Sequence, residues 1–496
     1  MKKSKVFLLA AVGLLSVGVL TACSSSSKTS GKTYNYVYGG DPATLDYVST
    51  NKKNMTTAVS NGVDGLFEND QYGNLKPSVA ENWSVSQDGL TYTYKIRKGV
   101  KWYTSDGEEY ANVTAKDFVT GLKHAADTNS EAIYLLQNSV KGLNDYLSGA
   151  NKDFSNVGIK AVDDYTLQYT LSQPEPYWNS KLTYSVTWPV NEDFLKSKGK
   201  DFGKSTDPTS ILYNGPYLLK SLTTKSSIEF TKNENYWDKD NVYFDTVKLT
   251  YDDGTDQESL ERNFTDGVYN LARLYPTSSN YSKVEKQYKD NIFYTQPGAA
   301  VEGVGINIDR QTYDHTSKEN DQQKTSTKTA LLNKDFRQAL GFAIDRTNYA
   351  AQLNGKEGGS TAVRNIYVKP DFVQADGKDF GTMVMDQLPA YGDEWSGVNL
   401  ADSQDGLYNP EKAKAEFAKA KEALQAEGVQ FPIHLDVPVN QSNKIFVNQV
   451  QSLKQSIESA LGKDNVVLDL HQLSTDDFYN ITYLLQMQRQ RIGICQ

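Results

Sequence analysis

Apolar and polar positions alternate with a period of two in "GLTYTYKIRKGVKW" (residues 89–102), where Leu90, Tyr92, Tyr94 and Ile96 interleave with Thr91, Thr93, Lys95 and Arg97. Successive side chains of a strand point to opposite faces, so this stretch predicts a strand with one buried face. "DDYTLQYTLS" (163–172) repeats the pattern. Asp88-Gly89 predicts the hairpin turn ahead of the first strand, and Gly73 and Gly89 stand where a positive φ is needed. Helical spacing takes over in 114–127, with Thr114 as N-cap and Asp117 at the third helical position. In 409–428 Asn409 caps, Pro410 opens the helix and Gly428 stops it. A further helix presents Phe336, Leu340, Ala343 and Ile344 as its apolar face, with Arg337, Asp345 and Arg346 in capping and pairing roles. The polar run 314–329 reads as a surface loop, and 251–261 as a solvated turn before a helix. Trp83 and Trp102 read as core anchors. Strands mixed with helices over this length predict an α/β body of more than one lobe, without internal repeats.

The start of the chain follows another pattern. Lys2, Lys3 and Lys5 precede an apolar run from Val6 to Leu20, which is the form of a secretory leader and too short to span a bilayer as a helix. It closes in Leu20-Thr21-Ala22-Cys23, which resembles the lipobox of bacterial lipoproteins. Residues 1–22 are therefore expected to be a lipoprotein signal peptide, and Cys23 the lipidated first residue of the mature chain. The Ser-rich stretch 23–32 cannot bury apolar surface and reads as a flexible tether.

Composition narrows the partners. The chain carries 61 acids against 52 Lys plus Arg. Loss of the leader's three Lys moves the formal charge from −9 to −12, which argues against nucleic acid and leaves the lipid as the only expected membrane contact. Apart from Cys23 there is no Cys before Cys495, so neither a disulfide framework nor a Cys-based metal site is expected in the body. No G-x-S-x-G, H-E-x-x-H or Walker A loop occurs, and His124, His315, His434 and His471 are scattered. The expectation is a non-catalytic protein with no cofactor and no metal.

Six stretches in order carry a family resemblance: 65–102, 105–123, "IKAVDDYTLQYTLSQPEP" (159–176), "YNGPYLL" (213–219), "KNENYWDK" (232–239) and "NKDFRQALGFAIDRTNY" (333–349). Together they resemble the family 5 extracellular solute-binding proteins, the oligopeptide-binding lipoproteins of ABC importers, nearest the streptococcal Ami/Ali type. The resemblance implies a two-lobed periplasmic-binding-protein-like fold of type II with an extra inserted subdomain. It places lobe I in 33–50 and 165–292, the inserted subdomain in 51–164 and lobe II in 293–483. It also implies capture of oligopeptides in extended form, through main-chain hydrogen bonds of the strand-addition kind, and delivery to ABC permease subunits. The protein would then sit on the extracellular face of a Gram-positive cell membrane. The candidate ligand contacts are Tyr38, Gly39, Asp41, Asn214, Gly215 and Asn307. A surface adhesin or a peptide-sensing lipoprotein without a transport role is the alternative, separable by whether the purified body binds peptide without hydrolysing it.

The end of the chain departs from the rest. Residues 484–496, "LLQMQRQRIGICQ", hold no Asp, Glu or Lys, and the family resemblance stops at Tyr483. The expectation is an aberrant tail, most simply from a frameshift, that leaves lobe II incomplete and peptide capture impaired.

Overall fold

The computed structural model describes residues 32–293, 301–370 and 373–484. Cys23, most of the tether and the tail from residue 485 lie outside them. The chain divides into two compact units. One takes in the described residues up to Asp256 with Arg262–Ala272, the other Gln257–Glu261 with the described residues from Arg273.

The first unit is built on two four-stranded sheets. In one, Thr33–Tyr38 runs parallel to Thr246–Tyr251, and Ser227–Lys232 and Tyr217–Thr223 continue the sheet antiparallel. In the other, Ala80–Val85, Thr91–Ile96, Thr166–Thr170 and Ile159–Asp163 pair antiparallel in that spatial order. Both alternating stretches are thus strands. Tyr92, Tyr94 and Ile96 are buried while Lys95 faces solvent. Gly73 and Gly89 have φ of +83° and +71°. One continuous core runs through the unit, anchored by the fully buried Trp102, Trp178, Tyr94 and Tyr169. Trp83 departs from expectation. It lies on the outer face of its strand, 39% exposed, with its ring edge-on to Phe67 at 5.1 Å. A period of two assigns a residue to one face or the other, but residue size alone does not say which.

The helix Ala115–Asp127 forms where the spacing predicts. The Asp117 carboxylate accepts from the Thr114 backbone N–H at 2.7 Å, satisfying a donor that helix geometry leaves free. Its buried face meets the backbone of 188–190 so closely that a Cβ on Gly121 would stand 2.2 Å from the Trp188 carbonyl oxygen. Gly121→Ala is therefore expected to cost about 1–3 kcal/mol through forced backbone movement, read as a lower denaturant midpoint at unchanged slope.

The second unit holds a parallel strand pair, Ile433–Asn440 with Val466–Leu473, joined by the helix Lys444–Leu461. Parallel strands need such a crossover. The helices Lys334–Ala343 and Pro410–Ala426 pack on it through Phe336, Phe342, Phe417 and Leu424. Asn409 caps the second of these, accepting from Lys412 N–H at 2.9 Å, and Gly428 follows at φ +77°. Asp345 caps the helix after 343, and Arg346 lies 3.8 Å from Asp405.

The polar run 314–329 is a loop only in its first part. Asp321–Leu332 is a helix capped by Asn320, whose side chain accepts from Gln323 N–H. Its apolar side is little more than Ala330 with the buried Ser326 and Thr327, so hydropathy hides it. The Asn-x-x-Gln spacing at 320–323 was the available signal. Ahead of this helix the loop is tied to the sheet: Asp436 accepts from Lys318 Nζ at 2.7 Å, Thr316 Oγ1 at 2.8 Å and Ser317 N–H at 2.9 Å.

Candidate functional site

Within the first unit, the loop "SNGVDG" (60–65) is held from behind by the segment after residue 212. The Gly62 carbonyl accepts from the N–H groups of Asn214 and Gly215 at 3.1 and 2.9 Å. The Asn214 side chain accepts from Asp64 N–H at 2.8 Å and donates to the Asp64 carbonyl at 3.2 Å, closing a two-bond clamp. A Cβ on Gly215 would lie 2.8 Å from the Gly62 carbonyl carbon, so only glycine permits this approach.

In front of the loop is a pocket of about 410 Å³, within the range of small-ligand sites. Asp64 and Glu68 supply its acids, and Phe67, Tyr184 and Trp188 supply aromatic wall. The Trp188 indole lies flush on Gly65: a Cβ there would meet its Nε1 at 2.7 Å. Asp64 is buried and accepts from the Tyr236 hydroxyl at 2.8 Å. Burial pushes its carboxyl up to about 7, against the pull of the Tyr236 hydroxyl and with the help of the Glu68 charge. Burial also raises Glu68, which Lys76 draws back and Asp238 raises further. Ser78 Oγ and Trp237 lie beside the Asp64 carboxyl and, with Tyr236, hold it down against burial, while Trp188 Nε1 is buried without a hydrogen-bond partner.

Of the residues singled out from sequence, Asn214 and Gly215 come to this site as the clamp behind its loop. Tyr38, Gly39 and Asp41 lie together elsewhere in the unit. The Tyr38 hydroxyl donates to Asp41 Oδ1 at 2.9 Å, and Asp41 accepts from Lys225 N–H through both oxygens. Gly39 is exposed. Asn307 is an exposed residue of the second unit whose side chain accepts from Asp309 N–H. Sequence reasoning missed Asp64, Ser78 and Trp188. The signal for Asp64 was an acid enclosed by apolar neighbours in "GVDGLF".

Three of the four His have carboxylate partners: His124 with Asp46, His434 with Asp469 and His471 with Asp436. Ser139 Oγ lies 2.6 Å from Lys181 Nζ, but that serine is almost fully buried and its hydroxyl donates to Glu175. It braces the core rather than reaching a substrate. Among the described residues no three His, Cys, Asp or Glu gather as a metal site, and no helix is long and apolar enough to cross a membrane.

Comparison with known proteins bears on the whole chain. The model for bacterial extracellular solute-binding proteins, family 5, matches residues 74–480. The oligopeptide-binding protein AmiA of Streptococcus pneumoniae is 68% identical over 486 residues, 97% of this chain and 74% of that protein. The oligopeptide-binding protein SarA of Streptococcus gordonii is 61% identical over 491 residues, again 97% of this chain and 74% of the relative. The structure of Listeria monocytogenes OppA bound to peptide superposes with a TM-score of 0.64 at 23% identity, over 91% of this chain and 79% of that one. That likeness shows the two-lobed α/β fold of solute-binding proteins. On the family match and the two streptococcal relatives together, the chain belongs to the bacterial extracellular solute-binding proteins of family 5.

Proposed function

We propose that this protein is an extracellular receptor that captures oligopeptides and hands them intact to the permease of an ABC importer. The observation that carries the reading is 68% identity, across 97% of the chain, to a protein named for oligopeptide binding. The match to a solute-binding family and to relatives named for oligopeptide binding supports capture without hydrolysis. Main-chain hydrogen bonding to an extended peptide would supply affinity that tolerates varied side chains. Attachment through a lipid on Cys23 completes the reading, because a receptor that feeds a permease gains from being held at the membrane.

Ligand that binds only the folded state stabilises it by about 2.7 kcal/mol at a hundredfold excess over Kd. A tryptic peptide pool is expected to raise the melting temperature of the leaderless chain, and native mass spectrometry to show co-purified peptides of unchanged length. A rise with sugars but not with peptides would overturn the reading. Membrane-extracted protein is expected to carry an acylated N-terminal Cys, and Cys23→Ala to leave the membrane fraction.

A further inference from the structure

A short tether decides which face of a body meets the membrane. Lys32 stands nine positions after Cys23. Nine residues fully extended span at most about 30 Å, and a Ser/Gly-type coil of that length averages about 17 Å from end to end. Whatever surrounds Lys32 is therefore held within that reach of a lipid on Cys23. Lys32 is pinned to the body: its backbone N–H donates to Asp245 Oδ2 and its carbonyl accepts from Asp245 N–H, both at 2.8 Å. It leads into the strand Thr33–Tyr38, where the ring of Tyr34 lies 5.4 Å from that of Phe244. Beside Asp245, Tyr243 and Phe244 are 68% and 37% exposed. The backbone that carries them is braced. The carbonyls of Val242, Phe244 and Asp245 accept from Lys232 Nζ, the Tyr217 hydroxyl and Lys232 N–H at 2.9, 3.0 and 2.9 Å. Large apolar side chains exposed singly are ordinary. These two adjoin a third ring, on a fixed segment, at the point where the tether joins the body.

We infer that Tyr243 and Phe244, with Tyr34 packed against Phe244, rest on the headgroup layer of the membrane as a second contact beside the Cys23 lipid. The inference rests on the lipid-anchoring part of the proposed function. A tyrosine has an apolar ring and a polar hydroxyl, which suits the boundary between acyl chains and water. Lys28 and Lys32 put positive charge at the exit of the tether, although the body as a whole is acidic. The contact need not be strong, because a short tether holds the patch at an effective concentration in about the millimolar range. Its consequence is orientation: the first unit presents a fixed side to the membrane instead of tumbling on its tether.

A single acyl chain binds vesicles only marginally and reversibly, so it leaves a surface contact measurable. The chain from Cys23, with Cys495→Ser, is coupled at the Cys23 thiol to one maleimide-linked chain of myristoyl length, and its partition into phosphatidylcholine vesicles is read by sedimentation. Tyr243→Ser/Phe244→Ser is expected to partition at least about fivefold more weakly, and Tyr243→Ser alone about twofold more weakly. Tyr72→Ser removes an exposed ring on the turn between the strands 67–69 and 75–77 and is expected to change nothing. Equal partition of the parent and Tyr243→Ser, which alters the most exposed of the three rings and spares the core, overturns the inference. So does an equal loss in Tyr72→Ser. A dimer without vesicles that the double variant abolishes also overturns it and gives the patch to a second copy of the chain. The coupled chain supplies the lipid whether or not the cell acylates Cys23. An unmodified Cys23 in membrane-extracted protein, together with a fivefold loss here, therefore fails the anchoring reading and leaves the lipid-binding surface standing.

Discussion

Replacing Asp436 by Ala is expected to cost the second unit about 3–5 kcal/mol, the range for removing one partner from a buried charge pair. Asp436 Oδ2 accepts from Lys318 Nζ, whose side chain is only 2% exposed, and Arg310 makes an ion pair to the same carboxylate. Oδ1 accepts from Ser317 N–H and pairs with His471 Nε2, both at 2.9 Å. Although burial alone would raise it, these partners, Lys318 foremost, hold the Asp436 carboxyl well below the usual range. Burial already draws Lys318 down; without Asp436 it is a buried cation that loses its hydrogen-bonded partner and keeps only the charge of Asp469 nearby. The loop 310–318 should then detach from the sheet. Hydrogen exchange is the measurement: faster exchange in 310–318 and 433–440, with 91–96 unchanged. Asp436→Asn, which keeps the acceptor and loses the charge, should fall between the two. Equal exchange in the wild type and Asp436→Ala would sink the account.

The second large effect is a dependence on pH that differs between the units. In the first unit burial raises Asp64 to about 7 and Asp117 to about 6 from the ordinary carboxyl value of 3.8. A carboxyl whose folded pKa is raised binds its proton more tightly in the folded state. Its contribution is complete below about pH 4 and is lost as pH rises through 6 to 7. At 1.36 kcal/mol per unit, Asp64 accounts for on the order of 4 kcal/mol across that window. In the second unit Asp436 is lowered, so its contribution is present above about pH 4 and is lost as pH falls further. Mild acid, from pH 7.5 to 5, is expected to stabilise the first unit and leave the second little changed. Trp83, Trp102, Trp178, Trp188 and Trp237 lie in the first unit, whereas Trp395 lies in the second. Denaturant unfolding of a Trp395→Phe chain by tryptophan fluorescence therefore follows the first unit alone. A midpoint that falls on acidification to pH 5 contradicts the prediction, and Asp64→Asn should flatten the profile.

Much of the fold was legible because the relevant interactions are local or periodic. Alternation placed the strands at 91–96 and 166–170, and caps placed the helices at 115–127 and 410–426. The family itself was legible from six ordered stretches. What a single stretch cannot carry is the identity of its neighbours. Asp436 and Asp469 sit directly opposite each other in the parallel pair, and this is tolerable only because His471, His434, Lys318 and Arg310 converge on them from distant parts of the chain. In sequence those His were merely scattered. Trp83 and Trp102 looked alike, and only packing put one outside and one in the core. The polar helix 321–332 was hidden because its stability comes from caps and tertiary contacts rather than from an apolar stripe. The pocket is the clearest case. Asp64 and Trp188 are 124 positions apart, and a glycine with no side chain, Gly65, lets the indole close on the loop. Sequence by itself determined the elements and the family, since both are written in short runs of residues. Tertiary structure alone decided which acids are paired, which is left facing a cavity and where polar atoms lack partners, because desolvation and charge depend on what the fold brings within a few ångströms.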